Sequence, residues 1–71
     1  MTELNLTEKQ LTIAELLLLG LSNKEMALKL KVQPTTVKWH LRIIFKKANV
    51  KSRYQFVVKY FKEENHDRPI T

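Results

Sequence analysis

Apolar residues recur at helical spacing in four segments of the chain, and three of these open on the same start signal. In the first, Leu11, Ala14, Leu17 and Leu18 repeat every three or four residues, with Leu16 and Leu19 beside them. Thr7 with Gln10 precedes it as a capping box. There the hydroxyl accepts from the backbone N–H three residues on, and the Gln or Glu side chain reaches back. A helix from about Glu8 to Leu19 is predicted, ended by Gly20 in a left-handed position, with Leu21 folding back on the last turn. Ser22 with Glu25 opens a short second helix, roughly Asn23 to Leu30, with Met26, Ala27 and Leu30 facing inward. Ser52 with Gln55 opens a last one, to about Lys62. Apolar staples, Leu6 with Leu11 and Leu21 with Met26, cross the first two caps.

The third helix starts differently, at Pro34, whose missing N–H would be unpaired in the first turn anyway. Asn49 closes it. At about 100° per residue, Val37, Leu41, Ile44 and Ala48 share a core face with Phe45 at its edge. Thr35, Lys38, Trp39, Arg42 and Lys46 cluster on another face. The segment PTTVKWHLRIIFKK thus combines a core stripe with an acid-free basic and aromatic one.

Only one Gly and two Pro leave few places for the sharp turns of an all-β domain, so the chain is read as all-α. Its 71 residues make one small domain, with residues 1–5 as an extension, 6–62 folded and 63–71 a polar tail expected to fray. With no cysteine and no cluster of His with Asp or Glu, helix packing must hold it together without disulfide, metal or cofactor. No apolar run approaches a membrane span, and the N-terminus lacks a basic-then-apolar signal, so a cytoplasmic location and no membrane partner are expected.

The charge pattern says more than the net value of +6. All seven acids lie towards the ends, while ten Lys or Arg and no acid fall between Met26 and Lys62. One-signed charge over half a chain costs self-repulsion and points to a polyanionic partner, above all nucleic acid. No residue constellation supports an enzyme.

The second helix, a connection of Lys31, Val32 and Gln33, and the third helix form a helix-turn-helix, an arrangement that presents its second helix to a DNA major groove. The residues LTEKQLTIAELLLLGLSNKEMALKL, TTVKWHL and VKSRYQFVV resemble the DNA-binding domain of LuxR/GerE-type transcription regulators over about residues 6 to 60. The matching pieces are L-T at the start, G-L-S-N-K-E, T-V-K-x-H and V-x-S-R-x-Q. The resemblance implies a four-helix domain, a three-helix core plus a dimerisation helix, that binds double-stranded DNA. It implies a homodimeric transcription regulator, activator rather than repressor, read here either as a complete stand-alone regulator or as the effector part of a longer chain.

Carried over residue by residue, it implies base reading by Lys38, Trp39 and Arg42. Trp39 is larger than the family's usual residue and has a second reading, as a cover for the domain flank. Phosphate contacts are expected from Asn23, Lys24, Thr35, Thr36, Lys46, Lys47 and Lys51, and a phosphate or backbone hydrogen bond from His40. Tyr54, Val57, Val58 and Phe61 form an apolar stripe on the last helix while Phe56 and Tyr60 point elsewhere, and the surplus makes Tyr54, Val58 and Phe61 the expected dimer seam. The alternative function is a protein-binding modulator that pairs through the last helix with a larger regulator or an RNA polymerase subunit.

Two positions depart from the family pattern. Lys31 stands where Gly is common at the end of the second helix, which costs on the order of 1 kcal/mol if φ is positive there. Gln33 stands where Ser usually caps the third helix. Pro34 behind it biases the backbone to the extended shape that an N-cap needs.

Overall fold

The computed structural model describes residues 4–64, with side chains through Phe61. The helices are α1 (Glu8–Leu18), α2 (Asn23–Leu30), α3 (Pro34–Ala48) and α4 (Arg53–Glu64). No strand occurs among the described residues. The fourth helix runs two residues further than its pattern suggested, through Glu63 and Glu64, and the rest of the tail, 65–71, lies outside the described residues, as do 1–3.

The start signals act as read, with one difference. Thr7 and Gln10 make both bonds of a capping box, Gln10 N to Thr7 Oγ1 at 3.1 Å and Thr7 N to Gln10 Oε1 at 3.2 Å. Ser22 and Glu25 do the same. At α4, Gln55 N donates to Ser52 Oγ, but Gln55 Oε1 accepts from Lys51 N at 2.7 Å instead of from Ser52. The third box is therefore opened by one residue. Gln33 makes no side-chain cap bond, and its extended backbone (φ −76°, ψ 148°) sets up the turn into Pro34.

Three helices end alike. After α1, Gly20 N donates to the Leu17 carbonyl and Leu21 N to that of Leu16. After α2, Lys31 N and Val32 N reach Leu28 and Ala27; after α3, Asn49 N and Val50 N reach Lys46 and Phe45. This is the Schellman arrangement, which satisfies orphan carbonyls through a left-handed residue. Gly20 takes that role at φ +96° and Asn49 at φ 58°, both residue types suited to it. Lys31 takes it at φ 59°, ψ 44°, without that suitability. The following apolar residue, Leu21, Val32 or Val50, packs half-buried against the core.

The helices α1 and α3 each pack against all three others. Between them lies a core built on Ile13, Leu17, Met26, Val37, Ile44 and Phe56. The core face of α3 holds the four residues expected, Val37, Leu41, Ile44 and Ala48. The face of α1 is rotated from the expected one. Ile13 is fully buried and Leu11 sits at the margin, while Leu19 is 76% exposed. In a run where nearly every position is apolar, periodicity leaves the orientation loose, and contact with α3 decides it. Phe56 and Tyr60 turn inward from α4, their rings 4.8 Å apart at the centroids.

Candidate nucleic-acid interface

Because α3 buries one face, its opposite face is presented outward as a unit. Thr35, Lys38, Trp39, Arg42 and Lys46 are all exposed, with no acid among them, and Trp39 is 56% accessible. The structure thus brings together the three expected base readers, Lys38, Trp39 and Arg42. Trp39 meets the neighbouring His40 edge-on, ring centroids 5.0 Å apart, and does not enter the core.

The two flanks of this edge differ. On one, α3 lies against the start of α1. Lys47 projects here, about 180° around the helix from Lys38. Its Nζ donates to the Asn5 carbonyl at 2.9 Å and to Gln10 Oε1 at 3.3 Å. The ammonium of Lys47, for which a phosphate contact was expected, thus lies at the N-terminal turn, on the opposite side of α3 from Lys38. His40 occupies the same flank, half-buried, with Nδ1 inaccessible and lacking a hydrogen-bond partner. Desolvation, with the positive charge of Lys9 as a second cause, lowers its pKa from the usual value. The backbone hydrogen bond expected of His40 is not formed among the described residues.

On the other flank, Asn23, Lys38, Leu41, Arg42, Phe45 and Arg53 line a cleft of about 370 Å³ between the starts of α2 and α4 and the face of α3. Arg53 Nη2 donates to Asn23 Oδ1 across it. Asn23 is thereby tied within the chain through its oxygen. Arg53, the R of V-x-S-R in the acid-free stretch, lines this cleft although it is not among the candidate residues read from the sequence. Lys24, Thr35, Lys46 and Lys51 are exposed around this edge and Thr36 is half-buried. Along α4, Tyr54, Val58 and Phe61 are 76%, 49% and 51% exposed.

A helix-turn-helix with an outward basic edge is shared by many proteins, and sequence comparison decides between them. The model of the bacterial regulatory proteins of the luxR family matches residues 4–60. The chain belongs to the luxR family. It is 44% identical over 54 residues to the HTH-type transcriptional regulator AlkS of Pseudomonas putida, covering 76% of this chain and 6% of that protein. It is 38% identical over 58 residues to the nitrate/nitrite response regulator protein NarP of Escherichia coli, covering 82% of this chain and 27% of NarP. The glycerol metabolism activator of Pseudomonas putida is 43% identical over 53 residues, 75% of this chain and 24% of the activator. The chain spans a small part of the length of each. No solved structure gives a significant match.

This luxR-family chain is therefore a DNA-binding helix-turn-helix of a transcription-regulator family, which is not a family of enzymes. No helix among the described residues is long and apolar enough to cross a membrane.

Proposed function

We propose that this luxR-family domain is a sequence-specific, dimeric transcription regulator that lays α3 in the major groove of double-stranded DNA. The observation that carries this is the outward edge of α3, five exposed residues including three cations and no acid, fixed in direction by a fully packed opposite face. Lys38 and Arg42 donate to guanine O6 and N7, and Trp39 makes apolar contact with a thymine methyl. Lys24, Thr35, Thr36, Lys46 and Lys51 meet phosphates and position the helix without choosing sequence. Tyr54, Val58 and Phe61 form the seam between two copies, which sets two reading helices about one helical turn apart on an inverted repeat. The protein acts in the cytoplasm as an activator; the relative named as an activator supports that sign.

The test is binding to a duplex selected by the protein from a randomised pool, and to a scrambled version of it, at several salt concentrations. A steep salt slope and discrimination of at least ~10³ are expected. Equal binding to both would turn the reading towards a modulator that uses α4 to dock on a larger regulator or a polymerase subunit.

A further inference from the structure

The cleft beside the reading edge contains a cation that the base-reading model does not use. Arg53 is the first residue of α4, and Asn23 the first of α2. Thirty positions apart in sequence, they are joined by the bond from Arg53 Nη2 to Asn23 Oδ1. Lys38 and Arg42 contribute the other two cations of the lining, Leu41 and Phe45 its floor, and no acid is among these residues. Three like charges around one open cleft repel one another, and that repulsion is relieved by an anion held between them.

We propose that this cleft seats a backbone phosphate of the bound duplex, with Arg53 as its guanidinium ligand and Asn23 as the residue that positions Arg53. The inference rests on the DNA-binding reading above and adds a contact to it. The location suits the role, because in a helix-turn-helix the first helix crosses the sugar–phosphate backbone while the second helix enters the groove. The chemistry suits it too. Guanidinium is a planar fork of N–H donors that matches phosphate oxygens two at a time. With one donor committed to Asn23, the plane of the fork is held while its remaining N–H groups stay available. Asn23 in turn has its acceptor engaged, so only its Nδ2–H groups could face an anion. Arg53 also stands at the root of the helix that carries the proposed seam, so the same residue would tie backbone contact to the position of α4.

The experiment measures binding of wild type, Arg53→Gln, Arg53→Lys, Asn23→Ala and the Asn23→Ala/Arg53→Gln pair to the selected and scrambled duplexes over a salt series, with thermal melting of each. Arg53→Gln should weaken both duplexes by the same factor, about tenfold, and lower the salt slope by about 0.9, the value for one phosphate. Arg53→Lys keeps the charge and so the slope, but weakens both duplexes less than Arg53→Gln. Asn23→Ala weakens both with the slope kept, and adds nothing in the Arg53→Gln background. An unchanged slope in Arg53→Gln would overturn the phosphate contact, whatever happens to melting, and a loss confined to the selected duplex would make Arg53 a base reader instead. Additive losses in the pair would overturn the positioning role of Asn23. Wild type that binds both duplexes equally sinks sequence-specific regulation but leaves the Arg53 slope test intact; wild type that binds neither sinks both.

Discussion

The ammonium of Lys47 near the end of α3 donates to Gln10 Oε1, 3.3 Å away near the start of α1, and to the Asn5 carbonyl at 2.9 Å. Gln10 is 5% exposed, and its oxygen already accepts from Thr7 N in the capping box. A neutral amide thus answers a cation and a helix N-terminus, both of which favour negative charge. Gln10→Glu keeps the acceptor geometry and makes both bonds charge-assisted. The variant is expected to gain about 1 kcal/mol at neutral pH, raising the melting temperature, with the gain lost on acidification as the carboxylate is protonated. A lower melting temperature at pH 7 would show that desolvation of the carboxylate outweighs its two partners.

Lys31 holds the left-handed position that ends α2, at φ 59°. A side chain there crowds the following carbonyl, which glycine avoids. Lys31→Gly should stabilise the fold by about 0.5–1 kcal/mol, or a few degrees of melting temperature, with DNA affinity nearly unchanged. The gain stays below the full strain because glycine also loses more backbone freedom on folding. Calorimetry of the two proteins under identical conditions decides it, and a lower transition would contradict the strain.

His40 has a pKa lowered by desolvation and by Lys9. The unfolded state therefore takes up this proton at a higher pH than the folded state does. Stability is whole above the ordinary pKa of 6.5 and falls as pH drops through the lowered folded value. Melting temperatures from pH 7.5 downward should decline in the wild type and decline less steeply in His40→Gln. Parallel curves would mean that His40 is not the responsible group.

Lys38 and Arg42 are expected to discriminate, and Lys24 only to hold. Alanine at either of the first two should cost about 1–3 kcal/mol on the selected duplex and relax base preference. Lys24→Ala should weaken selected and scrambled duplexes alike, with a slope lower by about one. Repeating the selection with each variant separates the two behaviours: an unchanged preferred sequence for Lys38→Ala and Arg42→Ala would remove them from the reading edge.

Val58 is about half exposed on α4, between the outward Tyr54 and Phe61 and away from the buried Phe56 and Tyr60. Val58→Asp should turn a dimer into a monomer in sedimentation while leaving the melting temperature of the domain within a few degrees. Affinity for a two-half-site duplex should fall much further than affinity for one half-site. An unaltered sedimentation coefficient would place the seam elsewhere.

Much of this protein was legible because its signals are local. A capping box spans four residues, a Schellman turn six, and the one-sided burial of Val37, Leu41, Ile44 and Ala48 follows from a repeat within α3. The basic edge around Lys38, Trp39 and Arg42 came with it, since a helix that buries one face must present the other. The leucine-rich α1 was less legible. When Leu11, Ile13, Leu16, Leu17, Leu18 and Leu19 are all apolar, the choice of Ile13 for the core and Leu19 for solvent belongs to the partner helix.

The amino-acid sequence by itself determined the helix starts, the stops of the first three helices, the family, and the separation of α3 into a packed and an outward face, because these signals are written in residues close together along the chain. Only the tertiary structure decided what the long side chains do. Lys47, 37 residues from Gln10, turned out to clasp the N-terminal turn, and Arg53, 30 residues from Asn23, to reach across the cleft beside the basic edge of α3. Both outcomes depend on how the helices cross, which brings chain ends together that no periodicity relates. The reach of a Lys or Arg side chain then lets a cation settle on either of several neighbours, and packing selects which.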